Sequence, residues 1–141
     1  MSAPQTLPYG AWPSPVTLDL VIAGSRGLSE PTIDGADVYL LESRPDEGGR
    51  VVLLRIGPDG AVSELTPAPA NVRDRVHEYG GGAWTVLDGL VVHSEFADGH
   101  LVRIDRGSAP RALTAEPGLR FADLRIDRTR ARVLAVLEDH R

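Results

Sequence analysis

The sequence has no cysteine and no lysine, one methionine and only seven aromatic residues among 141. Lacking cysteine, the chain can form no disulfide, use no thiolate nucleophile and hold no cysteine-ligated zinc. Lacking lysine, it draws all 15 of its basic residues from arginine, against 20 acids, for a net charge of -5. No basic block stands out that could track a phosphate backbone, so nucleic acid is not an expected partner. The N-terminal stretch MSAPQTLPYGAW has neither a basic lead nor an apolar core, and no apolar run approaches the roughly 20 residues of a membrane span. A cytoplasmic location away from membranes is therefore the expectation.

A hydrophobic fraction of 42% and a charged fraction of 25% are ordinary for a folded chain. The length suits one domain with a core. Prolines 4, 8, 13 and 15 with Gly10 predict an extended lead over residues 1–14. Ser14 followed by Pro15 reads as a helix start, because serine caps free amides and proline at the first position loses no bond. Val16, Leu20 and Ala23 then recur at helical spacing before Gly24, which predicts a helix from Pro15 to Ala23 with its cap at residue 24.

Beyond Gly24 the period changes to short β-branched runs: DVYLLES, RVVLLRI, AVSELT, AWTVLDG, LVVHSEF, HLVRID, PRALT and RVLAVLED. DEGG, PDG, ADG and DRGS lie between them as hairpin connections, which predicts an antiparallel meander. The runs also repeat. VLLRI at 52–56 matches HLVRI at 100–104, and the LT at 65–66 matches the LT at 113–114, both at an offset of 48. A weaker register aligns Val38, Val91 and Val133, spaced 53 and 42 apart. Units of about 40 to 50 residues with four short strands are the mark of propeller blades.

The expected fold class is therefore all-β: an incomplete β-propeller of about two four-stranded antiparallel blades plus the start of a third, with one short N-terminal helix. The blade-like repeats fall at about 33–70, 83–115 and 120–141, within a partial propeller domain over 25–141. A closed propeller needs about four to eight blades, so the sequence reads as part of one, ending at VLAVLEDHR with a strand edge unpaired.

The residues offer little chemistry of their own. AGSRG, Ala23 to Gly27, imitates the G-x-S-x-G nucleophile elbow around Ser25, but a helix rather than a strand is predicted before it. HEYGG begins like the zinc motif H-E-x-x-H and then carries Gly81 where the second histidine belongs. His93, Glu95, Asp98 and His100 could converge across a hairpin, although a solvated hairpin is the simpler reading. Gly80 to Gly82 match no phosphate loop. They permit positive φ at a bulge or a crowded strand start, or let the polar run before them turn into a central channel. The expectation is no catalytic residue, no cofactor and no metal in this chain.

The motifs YGAWPSPVT, VYLLESRPDEGGR and NVRDRVHEYGGGAW followed by VVHSEFADGHLVRI resemble the N-terminal part of the prolyl oligopeptidase family of serine peptidases, on the dipeptidyl or acylaminoacyl peptidase side. The resemblance runs from about Pro8 onward. It implies an N-terminal propeller that limits access for short peptides, and a C-terminal α/β-hydrolase domain, absent from this chain, as partner and carrier of the serine, aspartate and histidine. Family members often have a glutamine and an arginine where this chain has Gly99 and His100. On this footing Arg73, Arg75, Glu78 and Tyr79 are the expected substrate-facing or domain-facing cluster: arginine pairs bidentately with carboxylates, and glutamate receives an amino terminus. The alternative is a self-contained β-repeat binding or scaffold module without catalytic activity.

Overall fold

The computed structural model describes residues 6–141; part of the expected extended lead, residues 1–5, lies outside them. One helix, α1 (Leu18–Ile22), is followed by strands β1 (Gly27–Asp34), β2 (Asp37–Arg44), β3 (Arg50–Ile56), β4 (Val62–Glu64), β5 (Trp84–Leu87), β6 (Leu90–Ser94), β7 (Leu101–Ile104), β8 (Arg111–Ala112), β9 (Leu119–Asp127) and β10 (Arg132–Asp139). They form two four-stranded antiparallel meanders, ordered β1-β2-β3-β4 and β5-β6-β7-β8, and a two-stranded hairpin of β9 and β10.

The helix is shorter than the predicted Pro15 to Ala23. Thr17 is its cap, accepting the Leu20 N–H at 3.1 Å. Ser14 instead accepts the Val16 N–H at 3.1 Å, a local turn that holds the chain out of the helix for three more residues. Gly24 follows at φ +69, the left-handed position that ends the helix.

The first sheet begins at Gly27 rather than near Ile33, because Pro31 does not exclude a strand here. Register shifts between Ser29 and Thr32, Glu30 takes φ +51, and the proline sits in the bulge of an edge strand, where no ladder hydrogen bond is lost. The bulge also aims Glu30, whose Oε2 accepts the Trp84 indole N–H at 2.9 Å.

The 48-residue repeat has a physical meaning. Thr66 Oγ1 accepts the Leu53 N–H at 2.8 Å, and Thr114 Oγ1 accepts the Leu101 N–H at 2.9 Å. Leu65 and Leu113 donate their own N–H groups to the carbonyls of the same two leucines. Each LT thus prolongs the outer ladder of its sheet beyond the last strand residue. Val38, Val91 and Val133 each occupy the second position of the second strand of their sheet.

The three sheets stack in chain order. Between the first and second lie Tyr39, Leu41, Leu53, Val72, Ala83, Trp84, Val91 and Ile104, all buried, with the Tyr39 and Trp84 rings 6.4 Å apart. Between the second sheet and the hairpin lie Val92, Leu101 and Leu124, flanked by Phe121, Ile126 and Val133. Alternation along β6 sends Val91 to one core and Val92 to the other, so the middle sheet is covered on both faces. Leu134, Val136 and Leu137 of β10 remain 40 to 53% exposed.

At one end of the stack the tight turns are joined in series. Asp34 accepts the N–H groups of Asp88 and Gly89, at 2.9 and 2.5 Å, and Arg128 donates to the carbonyls of Leu87 and Asp88. Buried Asp37 pairs with Arg55 at 2.7 Å and with Arg106 of the second sheet. The opposite end carries the long connection between the two meanders.

Candidate functional site

That connection contains all four cluster residues predicted from sequence. It starts as a seam: Asn71 Oδ1 accepts the Val51 N–H at 2.9 Å, the Asn71 N–H donates to the Glu95 carboxylate at 3.0 Å, and the Phe96 N–H donates to the Asn71 carbonyl at 3.0 Å. Val72 continues it, donating to the Val51 carbonyl and bridging to Glu95. Residues 71–72 thereby stitch the first meander to the second, and the chain can leave the seam only toward the end of the stack.

Beyond the seam, Arg73 and Arg75 alternate with Asp74. The guanidinium carbons of Arg73 and Arg75 lie 4.5 and 4.2 Å from the centroid of the Phe96 ring, within cation–π range. Asp74 folds the other way: Oδ1 accepts the Val76 N–H at 2.9 Å and Oδ2 the Gly81 N–H at 3.0 Å. One carboxylate thus closes the whole turn.

The backbone of that turn is unusual. His77 and Glu78 take φ +55 and +69, and Gly80, Gly81 and Gly82 take +70, +138 and +63. Two of the glycines are also fixed by space: a Cβ on Gly80 would meet the Asp74 carbonyl oxygen at 2.7 Å, and one on Gly82 would meet Asp123 Oδ1 at 2.6 Å and its backbone N at 2.9 Å. The glycine run is therefore a crowded, left-handed lead into β5, pressed against β9. Outside it, Val76 is buried as an anchor and the His77 N–H donates to Glu138 at 2.8 Å.

The four predicted residues share no single contact, although Arg120 donates to both the Arg75 carbonyl and the Glu78 carboxylate. Arg73 and Arg75 share Phe96. Glu78 is directed elsewhere, with 80% of its side chain exposed and Arg120 as its partner at 3.3 Å. Tyr79 is 89% exposed. Sequence reasoning missed Phe96, Asp74 and Arg120, and weighed Glu95 only beside His93, Asp98 and His100. The scarcity of aromatics was the one available signal for Phe96, since a lone ring in a polar hairpin invites a question about what it packs against.

Beside Arg75 and Phe96 a cavity of about 180 Å³ opens, lined also by Asp74, Glu95, Asp98 and Arg120. The carboxylates here are already engaged. Burial pushes the Glu95 carboxyl up from its ordinary value, against the pull of the N–H groups of Asn71, Ala97 and Phe96. Asp98 accepts the His100 N–H at 2.9 Å and lies 3.1 Å from His100 Nδ1.

The other candidates separate. His93 is buried within β6, its Nδ1 3.2 Å from the Ser94 carbonyl, and burial pushes its pKa down. It does not meet Glu95, Asp98 and His100, and no metal-binding group forms among the described residues. Ser25 is exposed between α1 and β1, the reverse of the strand-to-helix order that an elbow requires.

Comparison with known proteins gives this arrangement its context. A puromycin-hydrolyzing peptidase of Mycobacterium tuberculosis matches 94% of the chain at 40% identity and a TM-score of 0.76. Puromycin hydrolase matches 91% at 38% identity and a TM-score of 0.77. The chain belongs to the prolyl oligopeptidase family. The match falls on the N-terminal region of these peptidases, and the chain spans 22% of the first relative and 21% of the second. A point mutant of puromycin hydrolase complexed with PGG matches equally well, at 37% identity over 91% of the chain and a TM-score of 0.78. Neither a protein-family model nor a curated protein matches. Gly99 takes φ +77, and a Cβ there would meet the Leu119 carbonyl oxygen at 2.5 Å, so a glutamine side chain has no room at that position.

Proposed function

We propose that the chain forms the first blades of the propeller of a serine peptidase acting on short peptides. It gates access to a separate catalytic domain and is inactive alone. The observation that carries this reading is the stacking: each successive sheet covers the face of the one before, and β5 lies against both β1 and β9. First strands gathered side by side are what a radial arrangement of blades requires. The similarity to puromycin-hydrolyzing peptidases supports peptide-like amides as the substrate class. Arg73, Arg75, Glu78 and Tyr79 then occupy the end of the blades that faces the substrate passage or the catalytic domain.

The test is to incubate the purified chain with aminoacyl and acyl-peptide chromogenic substrates and a serine-reactive probe. No turnover and no labelling is the expected result. Labelling at Ser25 would overturn it. A longer protein carrying this segment should hydrolyse such substrates and lose that activity to the same probe.

A further inference from the structure

Eleven of the fifteen arginines form ion pairs with the chain's own carboxylates. Arg73 and Arg75 are the exception that occurs as a pair: among the described residues neither guanidinium has a carboxylate partner, yet both lie over one ring. Two like charges held two residues apart repel each other. Phe96 offsets part of that repulsion through cation–π attraction, and a bound anion would offset the rest. None of the carboxylates that line the adjoining cavity pairs with either guanidinium: Asp74, Glu95 and Asp98 accept backbone N–H groups instead. The arginine backbones are also fixed, by the seam at residues 71–72 on one side and the Asp74 clasp on the other. Such preorganisation lowers the ordering cost of binding.

We infer that Arg73 and Arg75, supported by Phe96, form a binding site for a carboxylate. A single negative charge fits best. A multiply charged phosphate would meet the three acids in the cavity wall, and the chain's net charge of -5 repels polyanions generally. Two planar forks suit the two oxygens of a carboxylate. The carboxylate comes either from the C-terminus of a peptide or from an acidic side chain of another protein segment. The reading of the chain as part of a peptidase bears only on which source applies.

The experiment titrates the full chain with N-acetyl-dialanine, with its C-terminal amide, and with an amidated peptide carrying one internal glutamate, following the Arg73 and Arg75 side-chain N–H resonances. The free acid should shift both resonances saturably while the dialanine amide does not. Arg73→Gln with Arg75→Gln should weaken binding about tenfold, as expected for loss of charge-assisted hydrogen bonds. Phe96→Leu should weaken it less, and Arg111→Gln should leave it unchanged. Preference for the free acid over the internal glutamate assigns the site to a peptide terminus; equal binding assigns it to an acidic protein segment. Equal binding of acid and amide, or unchanged binding in the double variant, would overturn the site. Both arginines are exposed and their hydrogen bonds run through the backbone alone, so the double variant should keep its fold. A longer protein without peptidase activity would defeat the proposed function while leaving this titration intact.

Discussion

The two ends of the stacked sheets are built on different plans. At the turn end, short hairpins repeat from sheet to sheet and are linked by the same kind of bond each time, with Asp34 reaching one neighbour and Arg128 the next. At the opposite end, a single long connection carries His77, Glu78 and three glycines at positive φ, and two arginines that have no ionic partner among the described residues. Glycines make the contrast plain. Gly35, Gly60 and Gly107 at the turn end stand in open space, whereas Gly80, Gly82 and Gly99 each press against a backbone carbonyl or amide. Gly35, Gly60 and Gly107 supply only a dihedral angle; Gly80, Gly82 and Gly99 also supply room. The repeating end is a joint, and the irregular end gathers crowded glycines and the Arg73, Arg75 and Phe96 cluster.

Breaking this contrast should have its largest effect at Gly82. Gly82→Ala should destabilise the chain by about 2–4 kcal/mol, since it adds a clash with Asp123 to an unfavourable φ. Gly107→Ala should cost about 1 kcal/mol, for the dihedral alone. Paired urea melts measure both, and equal losses would erase the distinction. Next comes Asp74→Ala, which strips the acceptor from two backbone N–H groups and should cost about 1–2 kcal/mol. Asp34→Ala removes two bonds of similar burial at the turn end and should also cost about 1–2 kcal/mol.

The turn end should also reveal itself in acid. Chiefly through the hydrogen bond from Arg55, the Asp37 carboxyl is held below its ordinary value of 3.8. The folded chain thus binds that proton less readily than the unfolded chain, so the contribution is full above 3.8 and is lost as pH falls through the folded value. Asp37→Asn should flatten this part of the acid-melting curve. His93 acts in the same direction at higher pH: its pKa lies below 6.5 in the folded chain, so stability should decline as pH drops under 6.5. The smallest effect is expected from Glu78→Ala, below about 0.5 kcal/mol in stability because the pair with Arg120 is solvent-exposed. Any change in kcat/KM of a longer protein with this substitution would then report function rather than folding.

Much of the architecture was legible because β structure shows itself in local composition and in repeats. β-branched runs such as VVLLRI and LVVHS marked strands, and the 48-residue offset marked sheets, since each LT meets the equivalent leucine of its own sheet. The first strand was hidden by Pro31, which a bulge accommodates at a sheet edge without a missing donor. The helix start was misplaced because Ser14 can cap either a helix or a tight turn, and only the course of the chain decides between them. At the candidate site, the arginines and glycines of VRDRVHEYGGGAW were conspicuous, but their partners were not. Phe96 lies more than twenty residues from Arg73 and reaches it across the seam between two sheets.

The sequence alone therefore determined the class of structure, its repeat and the segment that breaks the repeat, because these depend on spacing along the chain. Tertiary structure decided what that segment does with its charges. Stacking of the second meander on the first brought Phe96 within cation–π range of Arg73 and Arg75, left Glu78 with Arg120, and committed the nearby acids to backbone amides. Each outcome depends on which side chains meet across an interface, a distance in space that no distance in sequence encodes.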